Sequence, residues 1–85
     1  MDRRVNSEIL AEMAARIRMG RELRGWSQQQ LADRIGSSES TVSKYEAGDR
    51  LPSLDMLLAL ADALGTTAGR LLAKPERRGR KTEAA

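Results

Sequence analysis

Residues 27–48 read SQQQLADRIGSSESTVSKYEAG and predict two short helices joined by a tight turn. Ser27 can accept a hydrogen bond from an N–H group at the start of the first of these helices. Gln30 can reach back to complete a capping box, a pattern typical of a helix start. Gly36 can adopt the positive φ that ends this helix. The first helix of the pair is therefore expected between Ser27 and Gly36.

The second helix of the pair begins two residues later, where Ser38 supplies a new N-cap. Val42 and Tyr45 give it an inward face, and Gly48 ends it. Two helices this short, with so abrupt a turn, have the form of a helix-turn-helix unit. Such a unit commonly places its second helix in the major groove of DNA.

A long first helix precedes the pair. It is expected to start at a cap on Asn6 or Ser7 and to continue to about Arg24. Its inward positions recur at three- and four-residue steps and are Leu10, Met13, Ala14 and Ile17. Gly20 continues this stripe as a small residue, so another helix is expected to come close there.

Two helices follow the pair. The fourth helix of the chain starts at a cap on Ser53 and closes at Gly65. Its broad apolar face comprises Leu54, Leu57, Leu60, Ala61 and Leu64. A short fifth helix around residues 67–72 is expected to add Leu71 and Leu72 to the core. No alternating apolar pattern argues for a strand, so the predicted fold class is all-α with five helices.

The chain of 85 residues is expected to form one domain. This domain spans residues 7–72, between a flexible N-terminus at residues 1–6 and a charged, disordered tail at residues 73–85. The longest apolar stretch, residues 56–61, is far too short to span a membrane. The N-terminus lacks the apolar core of a signal peptide, so the expected location is the cytoplasm or the nucleoid within it.

Several chemistries are disfavoured by composition. The sequence contains no cysteine and no histidine. Disulfides and thiolate–metal sites are therefore excluded, and the commonest metal ligand and the usual general base are missing. No metal or other cofactor is expected. No nucleophile with an oriented base is visible either, so neither an enzyme nor catalytic residues are predicted.

The net charge of +3 is unevenly distributed. The first 26 residues carry +2, residues 27–50 and 51–72 carry −1 each, and the tail carries +3. The helix-turn-helix pair is thus not the basic part of the chain, and attraction to phosphate would come from the first helix, Arg50 and the tail. The basic residues 77–81 either add non-specific attraction to DNA or simply form a solvated tail.

From about Ala15 to Leu72 the chain resembles the lambda-repressor/Cro-like, or XRE-type, helix-turn-helix family. The order and spacing of the helix starts, turns and core positions match the pattern of that family. The matching residues are Ile17, Arg21, Gly25, Ser27, Gln28, Leu31, Ala32, Gly36, Ser38, Val42, Ser43, Glu46, Gly48, Pro52, Leu57, Ala61, Leu64 and Gly65. The resemblance implies a compact five-helix, lambda-repressor-like DNA-binding domain that commonly works as a dimer on inverted-repeat operators. Two positions depart from the family pattern. Ser37 stands where an apolar residue is common, and Glu39 stands where a basic or amide residue is common.

The resemblance assigns the DNA-facing side of the second helix of the pair to Glu39, Ser40, Ser43 and Lys44. Helical geometry independently places these residues on one side, opposite Val42 and Tyr45. Lys44 can donate to guanine O6 and N7, and Glu39 can accept from cytosine N4. Alternatives stay open, because Glu39 also suits the positive end of a helix macrodipole and Lys44 can be a solvated lysine.

Contacts to DNA phosphates are expected from Gln28, Ser38 and Arg50. Gln28 starts the first helix of the pair, where unpaired N–H groups can meet a phosphate, and in the family it often braces the second helix. Ser38 can act as a cap and also touch a phosphate, whereas Arg50 can contact the backbone or minor groove or stay solvated. The resemblance pairs Arg21 with Glu46 in a structural ion pair between the first and third helices.

The leading hypothesis is a sequence-specific regulator of transcription that binds double-stranded DNA, as a homodimeric repressor of an inverted-repeat operator. The alternative is a protein-interaction module, or an antitoxin or controller subunit, that uses the same fold and needs a protein partner. The zero net charge of residues 1–72 favours this alternative. Candidate dimer surfaces are Met56, Leu58 and Leu72, or the amphipathic first helix.

Overall fold

The computed structural model describes the backbone of residues 3–73 and the side chains of residues 7–73. The five helices are α1 (Arg3–Leu23), α2 (Gln28–Ile35), α3 (Glu39–Ala47), α4 (Leu54–Leu64) and α5 (Ala68–Leu72). Residues 3–73 contain no strand. The predicted all-α fold with five helices is therefore confirmed.

The starts and ends of the short helices follow local capping chemistry. Four helices begin after a hydroxyl-bearing N-cap that accepts from a backbone N–H three residues on, and these caps are Ser27, Ser38, Ser53 and Thr67. Helix α2 has a full capping box, in which Ser27 N–H donates to Gln30 Oε1 at 2.8 Å. Helices α2, α3 and α4 end at glycines with φ near +70°, which are Gly36, Gly48 and Gly65. These predicted boundaries are confirmed.

The predicted start of α1 is wrong. The helix begins at Arg3, so Asn6 and Ser7 lie inside it rather than capping it. Residues 3–6 contain neither proline nor glycine, the two residues that most strongly disfavour a helical backbone, so the helix can extend through them. The first two residues and most of the predicted tail, residues 74–85, lie outside the described part of the chain.

The core draws side chains from all five helices. Buried apolar residues are Met13, Ala14, Ile17, Leu31, Ala32, Ile35, Val42, Tyr45, Leu57, Leu60, Ala61, Leu64 and Leu71. Helix α1 packs on α3, α4 and α5, while α2 packs on α3 and α4. Gly20 of α1 lies directly against Leu64, because a Cβ added at Gly20 would be 3.3 Å from Leu64 Cδ2. The close approach predicted at Gly20 is thus confirmed.

Two leucines assigned to the core from the sequence are instead exposed. Leu54 is 68% exposed and Leu72 is 38% exposed. Leu54 opens the first turn of α4, on the same side as the exposed Leu58 one turn later. Helix α5 is only five residues long, and adjacent helical residues point in different directions, so Leu71 turns inward while Leu72 turns outward.

Arg16 fastens the end of α5 to α1. Its Nη1 donates to the carbonyl oxygens of Arg70 and Ala73, each at 2.8 Å. The last carbonyls of a helix have no partner within the helix. Arg16 therefore satisfies one carbonyl in the last turn of α5, that of Arg70, and also holds the carbonyl of Ala73, the residue that follows the helix.

Candidate nucleic-acid interface

Helix α3 packs against the core on one side and is exposed to solvent on the other. Val42 and Tyr45 are buried, with exposed fractions of 0% and 4%. The four residues predicted to contact bases all lie on the exposed part of the helix and are Glu39, Ser40, Ser43 and Lys44. The structure thus brings these four side chains to one accessible surface. Their contacts with bases remain a prediction.

The two charges of this surface sit at opposite ends of α3. Glu39 lies in the first turn and Lys44 in the last turn, which is the favourable order for the helix macrodipole. Neither side chain forms a salt bridge with another side chain among residues 7–73. Both charges therefore face solvent, where a ligand can reach them.

Behind this surface, Glu46 of α3 forms a nearly buried ion pair with Arg21 of α1. Arg21 Nε donates to Glu46 Oε2 at 2.7 Å, and Arg21 Nη2 donates to Glu46 Oε1 at 3.1 Å. The exposed fractions of the two side chains are 13% and 4%. Arg21 Nη1 also donates to the Trp26 carbonyl at 2.7 Å. The guanidinium thus ties α1 to α3 and to the chain entering α2.

The environment of Arg21 keeps it charged. Its hydrogen bond to Glu46 raises the pKa of Arg21, and the negative charges of Glu46 and Glu22 act in the same direction, whereas burial opposes them. Because the pKa rises from an already high value, the guanidinium stays protonated wherever the domain is folded at ordinary pH.

Gln28 joins the same carboxylate. Its Nε2 donates to Glu46 Oε1 at 3.0 Å, so Glu46 links α1, α2 and α3. Gln28 is also the first residue of α2, where backbone N–H groups lack partners within the helix. An amide nitrogen carries two hydrogens, so one can brace α3 while the other stays available. The predicted contact of Gln28 with phosphate remains a prediction.

The other two predicted phosphate contacts lie at the edges of α3. Ser38 Oγ accepts from Thr41 N–H at 3.2 Å and shares a 2.9 Å hydrogen bond with Thr41 Oγ1, so its capping role is observed directly. Arg50 is exposed in the segment between α3 and α4 and has no salt-bridge partner among residues 7–73. Their contacts with phosphate remain predictions.

One feature near the start of α2 was not predicted. The guanidinium carbon of Arg34 lies 4.0 Å from the centre of the Trp26 ring, and that of Arg24 lies 5.6 Å from it. Both distances are typical of cation–π contacts. Trp26 lies before the cap of α2 and Arg34 lies eight residues later, within α2. Because the two residues do not belong to one helix, helical periodicity does not predict their contact. Gly65 makes room beside Arg24, since a Cβ there would lie 2.7 Å from Arg24 Nη2.

Within residues 3–73, no helix is long and apolar enough to cross a lipid bilayer. The same part of the chain holds no group of acidic residues arranged to bind a metal ion. Every buried side-chain nitrogen and oxygen of the described residues has a hydrogen-bond partner.

Residues 17–71 match a family model described as helix-turn-helix. The chain is 41% identical over 58 residues to the HTH-type transcriptional regulator AnsR of Bacillus subtilis, an alignment that covers 68% of this chain and 50% of AnsR. This chain thus spans about half the length of AnsR. It is 40% identical over 62 residues to the uncharacterized HTH-type transcriptional regulator YazB of the same organism, covering 73% of this chain and 88% of YazB.

The fold is also similar to that of a solved structure. The restriction-modification controller protein C.AhdI from Aeromonas hydrophila superposes with a TM-score of 0.68 and is 37% identical in sequence. The superposition covers 73% of this chain and 94% of C.AhdI.

Proposed function

This chain belongs to the XRE-type helix-turn-helix family of DNA-binding transcriptional regulators, and we propose that it reads a specific sequence in double-stranded DNA. The observation that carries the proposal is the two-sided character of α3. Its inner side is anchored by buried Val42 and Tyr45, and its outer side presents two unpaired charges and two small hydroxyls. An exposed polar surface on an anchored helix is suited to the major groove, which presents a distinct set of donors and acceptors for each base pair.

Within this proposal the charged residues of α3 read bases. Lys44 donates to O6 and N7 of a guanine, and Glu39 accepts from N4 of a cytosine. Ser40 and Ser43 are small enough to let the helix backbone approach the bases, and their hydroxyls contact bases, phosphates or bridging water. Glu39 also repels nearby phosphates, so it favours only those sequences in which a cytosine amino group compensates.

Three residues set the register on the phosphate backbone. Gln28 offers an amide hydrogen and the start of α2, Ser38 offers its hydroxyl beside the start of α3, and Arg50 offers a full positive charge. These contacts carry no sequence information themselves. They orient α3, so the readout by Lys44 and Glu39 depends on them.

The length of α3 favours a dimer. Nine residues extend about 13 Å along the helix axis, which matches only about four base pairs of DNA. Two copies related by a two-fold axis would double this contact, on an inverted repeat whose half-sites lie about 34 Å apart. Such a dimer represses where its operator overlaps a promoter, because the bound DNA is closed to polymerase. The corresponding site of action is the nucleoid in the cytoplasm.

A second candidate function is a protein-interaction module that uses the same fold with a protein partner. It is favoured by the zero net charge of residues 1–72, since DNA binding gains much of its affinity from basic residues. The two functions differ in their dependence on Gln28 and Lys44. A DNA reader loses binding when both are replaced by alanine, whereas a protein-interaction module has no such requirement.

The testing experiment is selection of bound duplexes from a randomised DNA pool at physiological salt. We expect enrichment of an inverted repeat with half-sites one helical turn apart. If a folded protein enriches no sequence, the proposal of an autonomous DNA reader is wrong. A single enriched half-site would uphold sequence reading and exclude the dimer.

A further inference from the structure

A groove of about 310 Å³ lies where α1, α2 and α3 meet, and we call it the junction groove. Its lining includes Ser43 of α3 and Gln28 of α2, both proposed above to contact DNA, and Arg18 of α1. The ion pair between Arg21 and Glu46 lines the same groove. A DNA strand that contacts Ser43 and Gln28 therefore passes beside the Arg18 side chain.

Arg18 is the arginine of α1 that is available to a ligand. The structure describes the side chains of three arginines in this helix, which are Arg16, Arg18 and Arg21. Arg16 is occupied by carbonyl groups at the end of α5, and Arg21 is held by Glu46 and is only 13% exposed. The Arg18 side chain is 63% exposed, and among residues 7–73 it pairs with Glu22 alone.

Glu22 occupies a position that disfavours a carboxylate. It is the penultimate residue of α1, and the end of a helix carries a partial negative charge. It follows Arg18 by four residues, and a basic residue before an acidic one is the less favourable order for an ion pair within a helix. Both side chains of the pair are solvated, so the pair adds little to stability. Stability therefore does not account for an acidic residue at this position.

We propose that Arg18 contacts a phosphate of bound DNA and that Glu22 restrains this contact by holding Arg18 in a competing ion pair, an inference that rests on the proposed function. In the free protein Arg18 Nε donates to Glu22 Oε2 at 3.2 Å. A phosphate that enters the junction groove competes for the guanidinium, because arginine can bind phosphate with two parallel hydrogen bonds. Glu22 keeps a partner when Arg18 leaves, since its Oε2 also lies 3.9 Å from Arg21 Nη2.

The restraint by Glu22 lowers the attraction of the junction groove for DNA. The two arginines and two glutamates that line the groove carry no net charge together. Successive phosphates of one strand are about 3.4 Å apart along the duplex axis, so a strand held at Gln28 presents a further phosphate to Arg18. Attraction to phosphates is independent of sequence, so the restraint limits non-specific binding and leaves discrimination to the base contacts of α3.

Salt dependence tests the contact between Arg18 and a phosphate. The wild-type protein, Arg18→Ala and Arg18→Lys are titrated with a duplex of random sequence and with the enriched repeat at several salt concentrations. Loss of one phosphate contact makes the slope of log affinity against log salt concentration shallower by about 0.9. We expect this change for Arg18→Ala and the wild-type slope for Arg18→Lys, which keeps the charge. An unchanged slope for Arg18→Ala on both duplexes overturns the proposal.

Glu22→Gln tests the restraint, and Glu12→Gln is its matched control. Glu12 forms a similar ion pair with Arg16 four residues later on α1, at 3.4 Å, but does not line the junction groove. We expect Glu22→Gln to tighten binding of both duplexes by about two- to fivefold, the range set by the strength of a solvated ion pair. Glu12→Gln changes the net charge equally and should have a much smaller effect, because salt screens distant charges. Equal tightening by both variants overturns the proposal.

A double-mutant cycle separates the competing ion pair from direct repulsion between Glu22 and DNA. If Glu22 acts by holding Arg18, then Glu22→Gln tightens binding in the wild-type background and gives no gain in an Arg18→Ala background. An equal gain in both backgrounds would mean that Glu22 repels phosphate by itself, and the proposal would be wrong. Urea denaturation followed by circular dichroism checks folding, and we expect nearly wild-type stability for each variant because the pair is solvated.

The two proposals fail separately. A protein that enriches no sequence, but whose binding to random duplexes weakens in Arg18→Ala and tightens in Glu22→Gln, would contradict the proposed function and support the restrained phosphate contact. An enriched inverted repeat whose binding keeps the wild-type salt slope in Arg18→Ala would support the function and contradict that contact.

Discussion

Glu46 accepts two hydrogen bonds from Arg21, at 2.7 and 3.1 Å, and thereby joins α3 to α1 in an ion pair that is almost closed to solvent. Gln28 donates to the same carboxylate from the first turn of α2. One side chain thus fixes α3, with its proposed base contacts, against the start of α2, with its proposed phosphate contact. Folding and DNA binding are therefore expected to be coupled through Glu46.

Replacing Arg21 is expected to destabilise the domain severely. Arg21→Ala leaves the Glu46 carboxylate buried without its counter-charge, and breaking such a pair commonly costs about 3–5 kcal/mol. This loss is a large share of the stability of a small domain. Urea denaturation followed by circular dichroism measures it. Arg18→Ala is the control, because its exposed salt bridge with Glu22 contributes below about 1 kcal/mol. Equal losses for both variants would contradict a structural role of the Arg21–Glu46 pair.

Gln28→Glu is expected to damage both stability and DNA binding more than Gln28→Ala. The new carboxylate would lie about as near Glu46 as the present amide, which donates at 3.0 Å, and would face any phosphate at the start of α2. Two carboxylates this close favour sharing a proton, so the deficit in unfolding free energy should shrink as pH falls from 7 towards about 5. Urea denaturation of the variant and of the wild-type protein at both pH values measures this deficit in unfolding free energy. Gln29→Ala, which removes only an exposed hydrogen bond to Asp33, is the control. A deficit that does not change with pH would exclude contact with Glu46.

Arg50→Ala is expected to weaken DNA binding by a similar factor for all sequences. A contact with one phosphate contributes about 0.9 to the slope of log affinity against log salt concentration. The variant should therefore show a shallower slope by about this amount. Binding titrations at several salt concentrations measure the slope. Arg70→Ala on α5, a helix that packs on α1 and α4, is the control and should leave it unchanged. An unchanged slope for Arg50→Ala would contradict a contact between Arg50 and a phosphate and would indicate a solvated side chain.

Two glycine substitutions are expected to have opposite effects on stability. Gly36 has a φ of +69°, and an added Cβ there would meet no other atom. Gly36→Ala should therefore destabilise the domain through backbone strain alone, by about 1–2 kcal/mol. Gly69 lies within α5, where an added Cβ meets only Thr67 Oγ1 at 3.9 Å. Gly69→Ala should therefore stabilise by about 0.5–1 kcal/mol through helix propensity. Thermal unfolding of both variants measures the sign, and a stabilising Gly36→Ala would contradict the left-handed turn between α2 and α3.

Local chemistry made most of the fold predictable from the sequence. Serines and a threonine at helix starts and glycines at helix ends act on their nearest neighbours, so α2 to α5 could be bounded without tertiary information. The start of α1 and the exposure of Leu54 and Leu72 could not be predicted in this way. The first depends on whether a polar residue caps a helix or continues it, and the second on which side of α4 and of α5 the rest of the domain covers.

The candidate interface was predictable in part. Helical geometry grouped Glu39, Ser40, Ser43 and Lys44, and the family resemblance paired Arg21 with Glu46. The stacking of Arg34 on Trp26 escaped prediction, because Trp26 precedes the cap of α2 and Arg34 lies near its end, a pairing that no regular spacing marks. Which bases the α3 side chains contact depends on the docked geometry and on DNA shape, neither of which the chain alone contains.

The most direct test of sequence reading by α3 compares the DNA motif enriched by the wild-type protein with that enriched by Lys44→Ala. Exposed Lys44 packs in no core, so the variant should fold normally, as circular dichroism can verify. Loss of one good base contact removes about 1–3 kcal/mol of discrimination. We expect one guanine position in each half-site to become degenerate while the other positions and the spacing persist. An unchanged motif would contradict base reading by Lys44, as would a uniform loss of affinity at every position.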